Sequence, residues 1–289
     1  TVASGSDLTI TPTKTINKLN GLTTADVTRI QRHVANIELL TDPYKIVAAD
    51  VNKTNSVTSQ DASLINQALL GNPSALNQIK TSWRFVPVSH NLNIPPWGFP
   101  ENLTLSNVSG SLPNQDFYGI KTGDVVSPFT NPANLQGEGF VLSVQDQSLE
   151  AGAQVTVVFS AAQFDDLAAL QFALRFDADK LALADVTPLG GLPLSMDHFG
   201  TYELSEGLLK MAWAQPEGMA VQEAAPLFQL TFNVLATGGL LSDALQLDDD
   251  ALERHAYTGD LSDSMVQLAF QSTTGTGGQA VQTGLQLLQ

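Results

Sequence analysis

The sequence predicts an α+β multidomain chain. A small α-helical domain spans residues 1–79, a loop-rich aromatic extension 80–136, an all-β jelly-roll sandwich 137–271 and a tail 272–289. Three observations predict it: two stretches of helical apolar spacing near the start, a run of aromatics among Pro, Asn and Gly, and strict alternation in the second half.

Residues 21–39 place Leu22, Val27, Ile30, Val34 and Ile37 at three- and four-residue steps. Thr23 followed by Asp26 supplies a capped start. Residues 58–70 repeat the pattern with Leu64, Ile65, Ala68 and Leu69, stopped by Gly71, Asn72 and Pro73. Each helix follows a polar loop, so the pair reads as an internal duplication of about 35 residues.

Residues 72–136 hold Trp83, Phe85, Trp97, Phe99, Phe117, Tyr118 and Phe129. Linkers rarely carry so many large aromatics, which predicts an ordered extension packed on its neighbours. From Phe140 to Phe270 the pattern is alternation: Val155, Val157 and Phe159; Phe172, Leu174 and Phe176; Phe228, Leu230 and Phe232. Short alternating runs bounded by Gly, Asp and Pro predict a sandwich or jelly roll. The tail is rich in Ser, Thr and Gly over 272–280, then turns strand-like over 280–289, a segment suited to adding to a sheet edge of its own or a neighbouring copy.

Composition narrows the function classes. Cysteine is absent from the 289 residues, which excludes disulfides, thiol nucleophiles and Cys-ligated zinc. No apolar run approaches the length of a membrane-spanning helix. The net charge of −16 argues against a nucleic-acid partner, which needs a basic face. That charge is uneven: residues 1–136 hold nine Lys/Arg and nine Asp/Glu, whereas 137–289 hold four and twenty. The acidic half is either a solvated surface or a face for a partner carrying Lys and Arg, such as the first half of another copy.

The strongest chemical motif is an oxygen-lined loop. In the stretch from Asp50 to Asp61, oxygen-bearing residues fall at loop positions 1, 3, 5, 9 and 12, the alternation that calcium takes. Asp50, Asn52 and Thr54 offer side-chain oxygens, Ser56 its carbonyl, and Asp61 a carboxylate from the first helical turn. Asn55 stands where glycine is usual, and Asn tolerates a left-handed backbone. Matching Asp26 to Asp61 puts Thr15, Asn17, Leu19 and Gly21 at positions 1, 3, 5 and 7 of a first loop. Leu19 has no side-chain oxygen, so this loop is degenerate; Asn17 and Asp26 are its candidate ligands.

The paired loop-helix units resemble a dockerin, the calcium-binding module that docks onto cohesins. Asn20-Gly21-Leu22-Thr23-Thr24-Ala25-Asp26, Ile30-Gln31-Arg32-His33 and Tyr44 to Asn52 are similar to the dockerin-like region of large type IX-secreted surface proteins. Ser82-Trp83-Arg84-Phe85-Val86-Pro87, Pro96-Trp97-Gly98-Phe99-Pro100 and Ile120 to Val125 continue the likeness. The second half resembles a cohesin-like jelly roll through Glu150-Ala151-Gly152, Leu170 to Asp177 and Leu227 to Phe232. Leu285 to Gln289 resembles the approach to a type IX sorting domain, and the chain opens at Thr1 without methionine, as a processed exported protein does. The dockerin resemblance implies partner contacts at loop positions 10 and 11, namely Thr24, Ala25, Ser59 and Gln60, with Gln31 and Arg32 on the helix.

Enzyme signatures are missing from the sequence. His33, His90, His198 and His255 are scattered, and there is no nucleophile elbow, phosphate loop or dinucleotide fingerprint. Asp165-Asp166 and Asp248-Asp249-Asp250 imitate a glycosidase pair only as any acidic chain does. The expectation is a secreted, non-enzymatic, cell-surface assembly protein. Its calcium-stabilised helical module would bind the sandwich of a neighbouring copy, or another surface protein, and repetition of that contact builds a filament. The alternatives are the C-terminal stalk of a larger adhesin and a carbohydrate-binding or carbohydrate-processing protein.

Overall fold

The computed structural model describes residues 3–126 and 139–272. Four helices lie in the first part: α1 (Thr24–Val34), α2 (Pro43–Ala49), α3 (Ser59–Leu69) and α4 (Pro73–Gln78). Both long helices open on a capping box, Thr23 with Asp26 and Thr58 with Asp61, so the duplicated sequence signal gives a duplicated local structure. The two short helices begin on Asp42-Pro43 and Asn72-Pro73, with an Asx side chain capping and proline in the first turn. The buried faces of α1 and α3 meet through Val27, Ile30, Ile65 and Leu69, with Val47 and Val51 closing the core.

The extension is made of two ribbons. Strand β1 (Ser6–Ile10) pairs antiparallel with β3 (Leu103–Val108), and β2 (Trp83–Pro87) with β4 (Phe117–Lys121). Arg84 lies over the Phe99 ring, 4.5 Å from its centroid, and donates to Glu101; Lys14 lies over Trp83. Among the described residues, Trp83, Phe85, Phe117 and Tyr118 thus lie in paired strands and Phe99 beneath Arg84; Phe129 lies outside the described residues.

The second part is a two-sheet sandwich. One sheet runs β14 (Asp263–Ser264), β13 (His255–Thr258), β7 (Phe164–Phe176), β10 (Leu208–Val221), β9 (Phe199–Gly200), with β12 (Leu245–Leu247) also on β7. The other runs β15 (Val266–Gln271), β5 (Phe140–Gln145), β6 (Gln154–Ala161), β11 (Ala225–Val234), β8 (Leu181–Pro188). β15 pairs with β5 in parallel, and the other named pairings are antiparallel. The inward residues are large: Leu170, Phe172, Leu174 and Phe176 on β7, Leu209, Met211 and Trp213 on β10, facing Phe159, Phe228, Leu230 and Phe232. Phe159 stacks on Phe228 with centroids 4.5 Å apart.

Several outward positions of β7 and β10 are small. Ala169, Gln171 and Ala173 on β7, with Ala212 and Ala214 on β10, form a shallow platform. Ala173, Leu208 and Ala212 join the apolar core of the helices rather than that of the sandwich. The helices therefore sit on this sheet. The strand expected over 280–289 lies outside the described residues.

Candidate functional site

The helix-to-sheet contact is the first candidate site. α1 and α3 lie across β10, and α1 also reaches β7. At the N-terminus of α1 the Thr24 N–H donates to Gln171 Oε1 at 2.7 Å, and the Gln171 amide in turn donates to the Glu253 carbonyl. Ala25 packs with Ala169 and Tyr257. Further along α1, Gln31 Nε2 donates to the Ala214 carbonyl (3.4 Å) and Arg32 Nε to the Pro216 carbonyl (2.7 Å). The other arm of the Arg32 guanidinium donates to the Gly259 carbonyl. α3 contributes Asn66, donating to the Ala212 carbonyl (3.2 Å), and Gln67, donating to the Asp197 carbonyl (2.8 Å). Gly200 has the Leu70 carbonyl directly over it, so the end of α3 meets β9 where a side chain would block it.

Four of the six residues expected at a docking contact are thus on the sandwich: Thr24, Ala25, Gln31 and Arg32. Ser59 and Gln60 are not: both are exposed. The duplication suggests that both helix starts are used alike. α3 instead meets β9 and β10 through its C-terminal half, which leaves Ser59 and Gln60 in solvent while Asp61 turns inward. Asn66, Gln67 and the receiving Gln171 escape the sequence reading; the alternation of small outward with large inward residues on β7 and β10 is the signal that marks the platform.

The contact is polar at its centre. Thr24 Oγ1, Thr28 Oγ1, Gln31 Oε1 and Asn66 Oδ1 are buried there without a hydrogen-bond partner among the described residues. Buried polar atoms are ordinarily paired, so an orphaned cluster marks a face suited to water as well as to protein.

The second candidate site is the loop Asp50–Asp61. Asp50 and Asp61 are fully buried. The Asp50 carboxylate accepts from Thr54 N and Asn55 N, each at 2.9 Å, and Asp61 accepts from Val51 N (3.1 Å) and Thr58 N (3.0 Å). Asn52 Oδ1 accepts from Thr54 N, and the Thr54 and Ser56 hydroxyls lie 3.1 Å apart. Lys53 and Asn55 adopt the left-handed backbone that wraps the loop, with φ 59° and 61°. Burial, together with the Asp50 charge, pushes the Asp61 carboxyl up, while hydrogen bonds from Thr58 oppose this. The Lys53 ammonium turns away to Glu101 (2.9 Å), so the loop's own cation does not neutralise the pair. Two close carboxylates with neutral oxygens around them fit a hard divalent cation. Among the described residues no three His, Asp or Glu converge as a metal cluster, so such a site depends on Asn52, Thr54 and Ser56 for its remaining oxygens.

The first loop is built differently. Asn17 is exposed and its Oδ1 accepts from Leu19 N. Asp26 is buried, with Oδ2 taking Thr23 N (2.9 Å) and Oδ1 taking Val125 N (2.8 Å) and Val126 N (3.0 Å). Lys121 donates its ammonium to the Lys18 carbonyl (2.6 Å) and the Thr122 carbonyl (3.0 Å). Backbone N–H groups of the extension thus occupy the Asp26 carboxylate that a first-loop ion would need, and the Lys121 ammonium sits within the same region. Asn17 and Asp26 do not form an oxygen set like that of the second loop.

Burial pushes the Asp26 carboxyl up to about 7, opposed by its three N–H donors and aided by Asp124. With an ordinary value of 3.8, the folded chain holds a proton that the unfolded chain has released between these limits. This group's stabilising contribution is therefore present at low pH and lost as pH rises towards 7. Asp26→Asn cannot titrate, so urea denaturation at a series of pH values should show the wild-type-minus-variant stability falling between pH 4 and 7. A difference constant across that range would mean that the three N–H donors keep the carboxylate ionised throughout.

One histidine has a built environment. His255 is buried and bonds Asp263 through Nδ1 (2.9 Å), which draws Asp263 into the sheet, while Nε2 faces Glu253. The pair braces β13 against β14 beneath the start of α1.

Comparison with known proteins bears on the sandwich. The family model of the cohesin domain matches residues 140–265. Among solved structures, the sixth cohesin of scaffoldin B from Acetivibrio cellulolyticus, in complex with a Cel5 dockerin, is 16% identical. That match covers 47% of this chain and 98% of that one, with a TM-score of 0.38. The seventh ScaB type I cohesin from Pseudobacteroides cellulosolvens is 16% identical over 50% of this chain and 99% of that one, with a TM-score of 0.36. A cohesin–dockerin complex from Clostridium thermocellum, Coh-OlpA-Doc918, gives 9% identity over 47% and 99%, with a TM-score of 0.37. No curated protein matches the chain. The cohesin-domain match thus falls on the two-sheet sandwich, over residues 140–265.

Proposed function

We propose that this chain is a secreted, non-enzymatic assembly protein. In this reading its helical unit is a dockerin-like module that docks on the cohesin-like sandwich of a neighbouring copy to form an extracellular filament. The observation that carries the reading is the set of donors on α1 and α3 aimed at the carbonyls of β10 and its neighbouring loops. The orphaned hydroxyls and amide oxygens in the same contact support it, because water satisfies them once the faces part. A contact made within one chain is available between chains by exchange, and it is heterologous, so repetition extends a filament unless it closes into a ring.

Calcium belongs to this reading as a structural ion. Bound by Asp50, Asn52, Thr54, Ser56 and Asp61, it would offset the paired buried carboxylates and hold the start of α3. That fixes the helix pair before docking and lowers the entropy cost of binding. One ion per chain is expected, given how the extension fills the first loop. Export through a type IX system and display at the cell surface complete the proposal.

The stalk of a larger adhesin is the second reading, favoured by one observation: the helices already sit on the sandwich of their own chain. Negative-stain microscopy and light scattering of concentrated protein separate the two. Fibres that grow with millimolar calcium and dissolve in chelator support assembly. A monomer at every concentration, with calcium present, overturns it in favour of the stalk.

A further inference from the structure

The end of the sheet where β13, β7 and β10 meet is shaped around a guanidinium. β10 bulges between Ala214 and Met219, and the pairing of β13 with β7 shifts between Tyr257 and Thr258. These two irregularities bring the Pro216 and Gly259 carbonyls together on one side. Arg32 enters from α1 and is buried. Its Nε donates to Pro216 and one terminal nitrogen to Gly259, while Glu38 lies 3.5 Å from the other.

Asp166 frames the pair of carbonyls. It has a positive φ of 63°, and the Gly259 N–H donates both to its main-chain carbonyl (2.9 Å) and to Oδ2 (3.1 Å). A Cβ at Gly259 would stand 2.7 Å from the Asp166 carboxylate, and one at Gly218 would fall inside it. The two glycines therefore leave the space in which this carboxylate wedges the β10 bulge and the 258–262 turn at a set distance. The turn is further fixed by Asp260, which takes Ser262 N (2.9 Å) and the Thr258 hydroxyl.

We propose that this end of the sandwich is an arginine receptor, formed by the Pro216 and Gly259 carbonyls with Asp166 as its positioning residue, and that it selects a docking helix bearing arginine over one bearing lysine. Two carbonyls offered to adjacent N–H groups match the planar fork of a guanidinium, and a single ammonium cannot span them in the same way. The Asp166 charge adds a favourable field without a direct ion pair. The proposal rests on the docking reading only for the identity of the partner, the helical unit of this chain in the same or a second copy.

A double-mutant cycle in the full chain tests it, following urea unfolding of the helices by circular dichroism in Arg32→Ala, Asp166→Gly and the double variant, with Arg32→Lys beside them. Glycine keeps the positive φ at 166, so the cycle removes the carboxylate without straining the backbone. The expected result is a roughly tenfold loss in the docked-helix equilibrium for Arg32→Lys. Asp166→Gly should cost several-fold in the wild-type background and less than twofold in the Arg32→Ala background. Equal cost of Asp166→Gly in both backgrounds, or an Arg32→Lys variant equal to wild type, overturns the receptor. Coupling in a protein that never assembles leaves the receptor standing and removes only the filament reading.

Discussion

Ala212→Glu is expected to lift the helices off the sandwich. Ala212 is fully buried on the outward side of β10, in the apolar core shared with α1 and α3, and its carbonyl takes the Asn66 amide. A glutamate there must bury an unpaired carboxylate and make room for four more side-chain heavy atoms. Either demand costs several kcal/mol, about 3–5 together. The sandwich core lies on the other side of the strand, where Met211 and Trp213 are untouched, so opening the contact is the cheapest relief. Small-angle scattering should show an expanded chain while the β-sheet thermal transition stays within a few degrees of wild type. Ala212→Ser, similar in size, should remain closed. An Ala212→Glu chain as compact as wild type would mean that the platform is not a docking face.

Asp50→Ala should collapse the second loop. The carboxylate holds the N–H groups of Thr54 and Asn55; removal frees the Asn55 N–H while Thr54 N–H keeps Asn52 Oδ1, a loss of about 1–2 kcal/mol. It also takes away the first ligand of the proposed calcium site. Helix melting in wild type should then shift upward with millimolar calcium, by about 2.7 kcal/mol at a hundredfold excess over the dissociation constant, and Asp50→Ala should show no shift. A wild-type melt indifferent to calcium would leave the loop as a hydrogen-bonded turn.

Much of the architecture is legible in the sequence because local chemistry decides it. The capping boxes at Thr23 and Thr58 place the starts of α1 and α3, but α1 ends at Val34, so Ile37 lies beyond the helix and is exposed. Alternation at Phe172, Leu174 and Phe176 gives a strand with its large face inward. The β1–β3 ribbon is not legible, because its halves lie nearly a hundred residues apart and Ser6–Ile10 is too short to mark itself. α2 and α4 carry their signals, Asp42-Pro43 and Asn72-Pro73, yet each is under eight residues and lacks a full apolar period.

The site divides the same way. The spacing from Asp50 to Asp61 is a local pattern, and the structure wraps it as a local turn. The fate of Asp26 is set by Val125 and Val126, donors that sequence proximity cannot reveal. The role of Arg32 can be guessed from its place on the helix, but not its receptor, which depends on two strand irregularities and the space left by Gly218 and Gly259. Repeat symmetry misleads at Ser59 and Gln60 because α1 meets the sheet at both its ends, whereas α3 meets it only through its C-terminal half.

The absence of cysteine allows the central contact to be read directly. Ala25 and Ala169 are both buried, packed in one cluster with Tyr257 between α1 and the sheet, and both are small. Ala25→Cys with Ala169→Cys, oxidised under native conditions, should form a disulfide: a fast-migrating closed monomer where the contact is within a chain, a covalent ladder where it joins copies. A pair that stays reduced in folded, calcium-loaded protein would contradict the seating of these helices on the sandwich.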